Sequence, residues 1–129
     1  CDANASASAN GIASFHFGNS HGSTSTIGQI LSGLIQREIV ARTGLRDCRT
    51  HGRTWDLLRL TNMPTVQVDL GYLTNAGDVS VLTNPRMRDA IAEAVLVSVK
   101  RLYLLGRDDQ PTGTFTFAGL LASELAAAD

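Results

Sequence analysis

Among the acids of this 129-residue chain, Asp69 has the best position for chemistry. Pro64 sets a boundary, and the stretch behind it, Thr65 to Leu70, is rich in β-branched residues with apolar side chains at Val66, Val68 and Leu70. That pattern predicts a β-strand. The strand stops at Gly71, in a Gly-Tyr-Leu-Thr-Asn turn, with Asp69 near its end. In open α/β sheets, reacting groups gather at the carboxyl ends of strands, so an acid there is a candidate general base. The competing reading is that Asp69 caps the turn that follows it. His16 and His21 lie close in sequence, but no third ligand follows at metal spacing, so both are read as structural or solvent-facing. Arg46, Arg49, His51 and Arg53 make residues 45–53 a basic loop, either a solvated connection or a cradle for an acidic ligand. Cys1 and Cys48 allow one bridge or two free thiols, which leaves the compartment open.

These groups must be positioned by a small set of elements. Cys1 to Asn10 has no periodicity and reads as a loop. Ile12 to Phe17 alternates as a strand, with Ala13, Phe15 and Phe17 on one face and Ile12, Ser14 and His16 on the other. A helix follows, capped by Ser23 or Ser25, with Ile27, Ile30, Leu31, Leu34, Ile35 and Ile39 at three- and four-residue steps. Gly44 suits the left-handed residue past its end, with Arg42 placed to meet the last carbonyls. Gly28 and Gly33 lie inside the helix, where each costs about 1 kcal/mol, and close packing on the sheet would account for them. Residues 55–60 form a short apolar segment, and Gly77 to Leu82 one short helical turn. Asn84 and Pro85 open a second long helix whose apolar face comprises Ala90, Ile91, Ala94, Val95, Val97, Leu102 and Leu105, with Gly106 ending it.

Residues 107–113 are a polar linker. The Ala/Leu-rich tail behind it carries Phe117, Leu120, Leu121 and Leu125 on one helical face, which predicts docking on its own domain or on a partner. The chain thus divides into an α/β portion, 1–106, and a linker with an amphipathic tail, 107–129. A formal charge of −1 excludes the basic excess of a nucleic-acid binder, and no apolar run approaches a membrane span. A start at Cys1 with no signal-peptide pattern suggests a processed product or a piece of something longer.

Three segments together resemble the C-terminal half of the type-3 N-acetylmuramoyl-L-alanine amidases. Asp2-Ala3 is similar to the end of that family's His-Ala-Asp/Asn-Ala motif. Pro64 to Asn75 is similar to its Pro-x-x-x-x-Glu-x-Gly-Phe-x-x-Asn signature, and Arg88-Asp89-Ala90-Ile91-Ala92 to a pattern in its closing helix. The resemblance covers residues 1–105 and implies an α/β fold: the C-terminal half of a mostly parallel twisted sheet flanked by helices, completed by an N-terminal half of the same protein. It further implies a zinc-dependent peptidoglycan hydrolase whose ligands, two His and one Glu, precede Cys1, so that no cofactor is expected from this chain alone. Asp2, Asn4 and Asn75 are the implied binding residues. The family's catalytic Glu falls on Asp69, one methylene short, and a misplacement of about 1 Å can cost on the order of a hundredfold in rate.

Three functions are therefore open. The chain is part of a degenerate amidase that regulates peptidoglycan precursor synthesis in the cytoplasm, through contact with the enolpyruvyl transferase that opens the pathway. Alternatively it is the back half of a working amidase acting at the cell envelope, or a muropeptide-binding module. Under the regulatory reading, Thr112, Thr114 and Thr116 are sites where a phosphate could switch docking of the tail.

Overall fold

A computed structural model describes residues 1–104 and 116–128. In chain order its elements are β1 (Ile12–Phe17), α1 (Thr26–Thr43), β2 (Asp47–Arg53), α2 (Asp56–Arg59), β3 (Val66–Asp69), α3 (Ala76–Leu82), α4 (Pro85–Leu104) and α5 (Phe117–Ala127). The strands form one sheet in the order β2-β1-β3. β1 and β2 run parallel, joined by α1 as the crossover, while β3 returns antiparallel to β1. Helices cover one side of this small α/β sheet. Residues 47–53 are thus a strand and not the basic loop that their composition suggests. Their side chains carry no apolar alternation because β2 is an edge strand, and its pairing rests on backbone bonds to β1 rather than on a buried face.

The two faces of β1 reverse the expectation from hydrophobicity. Ile12, Ser14 and His16 are buried, whereas the more apolar Ala13, Phe15 and Phe17 are only partly covered. The reason lies in α1, which offers polar partners. Gln36 accepts from Ser14 Oγ at 2.8 Å and donates through Nε2 to the Ile12 carbonyl at 2.8 Å and to Asp47 Oδ1 at 2.7 Å. Ser32 Oγ lies 3.2 Å from His16 Nδ1. A buried polar group costs little once it has a partner, so a polar strand face can be the inner one. With α1 rotated to make these bonds, Ile27 and Ile30 of its apolar periodicity are exposed. The apolar core is built by Ile12, Ile35, Ile39, Leu45, Ile91 and Ala94, with Val66, Val68 and Leu70 packed against it.

The predicted caps form. Ser25 accepts from Gly28 N at 3.1 Å, Gly44 takes φ 70° beyond α1, and Asn84 accepts from Arg86 N at 3.0 Å. Arg42, in the last turn of α1, pairs with Glu38 at 3.1 Å and with Glu93 of α4 at 3.3 Å, and Arg101 of α4 reaches Glu38 at 2.6 Å. Glu38 is 2% exposed, so this network is a charged rivet between α1 and α4. Farther along, α5 lies on α4: Leu120 is buried with Val97 and Leu104, Lys100 pairs with Glu124, and Phe117 N donates to Glu93. The tail therefore docks on its own domain, while Leu121 and Leu125 of the expected sticky face remain exposed. Leu105, Gly106 and the 107–113 linker lie outside the described residues.

Removing one partner of a buried ion network leaves the others desolvated and uncompensated. Glu38→Ala is therefore expected to destabilise the protein by about 3 kcal/mol in denaturant titration.

Candidate functional site

Asp69 is the last residue of β3 and lies opposite Ala13 of β1. Because paired residues share a face and alternate residues oppose, Asp69 stands with Gln67, Ala13 and Phe15 on the side of the sheet away from α1. Its Oδ1 accepts a hydrogen bond from Gln67 Nε2 at 3.2 Å. The carboxylate is half-buried at the strand end, and among the described residues no hydrogen bond joins it to the turn that follows.

Asp78 does what the competing reading assigned to Asp69. Its Oδ2 accepts from Tyr72 N at 2.9 Å and from Gly11 N at 2.8 Å, which ties the turn after β3 to the residue preceding β1. Gly71 has φ 128°, and a Cβ there would come within 3.0 Å of the Asp78 carboxylate, so a side chain is excluded twice over. The 4% exposure of Asp78 marks a buried charge whose partners are backbone N–H groups. Sequence reasoning passed over this residue. Its signal was the Asn75-x-x-Asp78 spacing at the start of a helix, where an acid in the first turn can also reach backwards.

The three implied binding residues are brought together, chiefly by backbone and capping bonds. Asp2 N donates to the Gly71 carbonyl at 2.9 Å, Leu73 N donates to the Asp2 carbonyl at 2.8 Å, and Asp2 forms a parallel bridge with Tyr72. Asn4 N donates to Thr74 Oγ1 at 3.1 Å. Asn75 caps α3 through Oδ1, which accepts from Asp78 N, and its Nδ2 holds the Ala7 carbonyl at 2.8 Å. The N-terminal segment is thus laced over the turn that follows Asp69.

The histidines do not converge there. His16 is buried on the opposite face, His21 is exposed, and His51 Nε2 lies 2.7 Å from the Cys48 carbonyl with its ring 5.7 Å from that of Phe15. Cys1 and Cys48 are free thiols, Cys48 donating to the Asn10 carbonyl. Among the described residues no group of three or more His, Cys, Asp or Glu is spaced to hold a metal, so these residues do not by themselves fit a zinc ion. Of the threonines, Thr116 is the N-cap of α5 and accepts from Gly119 N at 3.0 Å, while Thr112 and Thr114 lie outside the described residues. No helix among the described residues is long and apolar enough to cross a membrane.

The small helix-covered α/β sheet thus carries a carboxylate at the end of β3 and an N-terminal segment bridged to the turn behind it. Residues 1–101 match the Amidase_3 family profile, described as N-acetylmuramoyl-L-alanine amidase, and the chain belongs to that family. It is 70% identical over 125 residues to the N-acetylmuramoyl-L-alanine amidase CwlM of Mycobacterium tuberculosis, covering 97% of this chain and 31% of that protein. The probable cell wall amidase LytH of Staphylococcus epidermidis is 27% identical over 103 residues, covering 79% and 33%. The chain therefore spans about a third of the length of these relatives. In fold it is similar to an N-acetylmuramoyl-L-alanine amidase from Clostridium difficile 630, with a TM-score of 0.68, 24% identity and coverage of 84% and 55%. The CwlD amidase of Clostridioides difficile, solved in complex with the GerS lipoprotein, gives a TM-score of 0.70 at 21% identity, covering 81% and 51%.

Two outcomes follow from these contacts. Asp78→Ala removes an ionised acceptor from two backbone amides, and a loss of about 3 kcal/mol is expected, with faster hydrogen exchange at Gly11 and Tyr72. Burial, and then the charge of His51, lower the pKa of His16 below its ordinary 6.5. The unfolded chain then binds more protons than the folded one just below pH 6.5, so stability falls as pH drops through that window and is level above it. Thermal unfolding of His16→Gln, followed from pH 7.5 to 5, should show a shallower loss than the parent.

Proposed function

We propose that this chain is the C-terminal part of a catalytically degenerate amidase domain that regulates peptidoglycan precursor synthesis through protein contacts. The observation that carries the reading is the Asp69 carboxylate at the end of β3, hydrogen-bonded to Gln67; the resemblance of Pro64 to Asn75 to the family signature sets it where the family has its general-base Glu, one methylene longer. A base that falls about 1 Å short of its water loses on the order of a hundredfold in rate. The zinc ligands of the family belong, on this reading, to the N-terminal half. The parallel bridge of Asp2 to Tyr72 supports a strand that enters at Cys1, pairs with the free edge of β3 and completes the sheet.

The regulatory surface is the α4–α5 side. Leu96 and Tyr103 of α4 and Leu121 and Leu125 of α5 are exposed on these two helices and offer apolar side chains to a protein partner. The proposed partner is the enolpyruvyl transferase that opens precursor synthesis, in the cytoplasm. A phosphate on Thr112, Thr114 or Thr116 would switch the contact. At Thr116 it would replace the hydroxyl that caps α5, at a helix N-terminus whose dipole favours negative charge.

The second reading is a working zinc amidase of the cell envelope, cleaving the muramoyl–L-alanine amide, and the 70% identity to a protein named as an amidase favours it. Zinc content and hydrolysis of a muramyl peptide by the full-length protein separate the two. The regulatory reading expects wild type to be at least about a hundredfold slower than Asp69→Glu. Stoichiometric zinc with wild-type turnover matching that variant would establish the second reading. Leu121→Asp with Leu125→Asp should abolish any effect of the protein on the transferase while leaving its fold intact.

A further inference from the structure

We propose that the groove between α1 and the outer edge of β2 is an oxyanion-binding site for a small soluble ligand, separate from the Asp69 region. The groove has a volume of about 580 Å³ and is lined by Gly33, Arg37 and Val40 of α1 and by Asp47, Arg49 and Thr50 of β2, among others. β1 lies between it and β3.

Two features of this groove cost stability, and packing explains neither. Arg49 is the one non-glycine residue with positive φ among the described residues, at 68°. A left-handed residue with a Cβ is strained by roughly 1–2 kcal/mol. The strain comes from a bulge: Ile12 pairs with Asp47 and Ser14 with Thr50, so Ala13 alone faces both Cys48 and Arg49. In a regular strand, Thr50 would point away from Asp47 and Arg49. The extra residue allows all three to line the side facing α1, and bulges are a common means of re-aiming a side chain at a site. Asp47 holds the distortion in place, its Oδ1 accepting from Arg49 N at 2.8 Å.

The second feature is Gly33, in the middle of α1, where glycine costs about 1 kcal/mol relative to alanine. Gly28, in the same helix, is explained by contact, since a Cβ there would meet Ser25 and His16. A Cβ at Gly33 would meet nothing within 4 Å. The space it leaves opens into the groove, one helical turn before Arg37.

The charges define the ligand. Asp47 Oδ1 is already engaged by Gln36 and by the Arg49 amide. Arg37 and Arg49 form no salt bridge among the described residues, which leaves two guanidinium groups against one carboxylate. Guanidinium forks match the paired oxygens of phosphate and carboxylate groups, and a groove of this size accepts a ligand larger than a bare ion.

Titration of the full-length protein with inorganic phosphate, pyrophosphate and citrate, read by calorimetry and by amide NMR shifts at Gly33, Arg49 and Thr50, tests the site. Phosphate-bearing and carboxylate ligands are separated by whichever probe binds more tightly. Binding at a Kd of about 1 mM or below is expected for at least one probe, weakened about tenfold or more by Arg37→Ala. Two further variants guard against a folding artefact, because both should raise the melting temperature. Arg49→Gly relieves the left-handed strain and Gly33→Ala improves the helix, and each should still weaken binding. No saturable shift with any probe up to about 10 mM, or binding that Arg37→Ala and Arg49→Gly leave unchanged, would overturn the proposal.

Discussion

A single buried carboxylate oxygen sets the geometry on which the candidate site depends. Asp78 Oδ2 receives the amides of Tyr72 and Gly11, one from the turn after β3 and the other from the residue leading into β1. These strands are antiparallel neighbours, so the bond fixes their relative position at the end that carries Asp69. It also brings the turn up to the N-terminal segment, whose Asp2 pairs with Gly71 and Leu73 and whose Ala7 carbonyl is held by Asn75. A charged acceptor for two amides is stronger than a neutral one, and in this dry position it has no competition from water.

Away from that end, the domain relies on hydrogen-bonded and ion-paired polar groups in its interior. Gln36 joins β1, β2 and α1 through Ser14, Ile12 and Asp47, and Glu38 joins α1 to α4 through two arginines. The Gln36 bond, followed by the Arg49 amide, also lowers the Asp47 pKa below the usual carboxylate value, against a smaller opposing effect of burial. Such networks favour one register over its neighbours. A slip of α1 by one residue would leave buried donors and acceptors without partners, whereas an apolar contact would readjust.

How far the chain was legible depends on whether a signal was local. The strand at Ile12–Phe17, the caps at Ser25, Gly44 and Asn84, and the helix behind Pro85 follow from residue chemistry over a few positions, and the structure shows each. The composition of Asp47–Arg53 suggests a loop because the strand's ladder is supplied by β1 and leaves no trace in its own side chains. Ile27 and Ile30 share the apolar periodicity of α1 yet are exposed, because periodicity marks an apolar face without saying how the helix is rotated about its axis. The ion pairs of Arg42 with Glu38, one turn back, and with Glu93, across on α4, depend on how the two helices pack, and no local pattern announces them.

The sequence by itself determined the family, through motifs carried by contiguous residues, and with it the place of Asp69 at a strand end. The tertiary structure decided which face of β1 is inside, which acid caps the turn after β3, that the segment holding Asp2 and Asn4 is laced to the turn that ends at Asn75, and that α5 folds back onto α4. Each of these rests on a contact between residues distant along the chain. The physical reason is that a polar side chain can be buried or exposed at similar cost until its partner is known, and the partner is chosen by the fold.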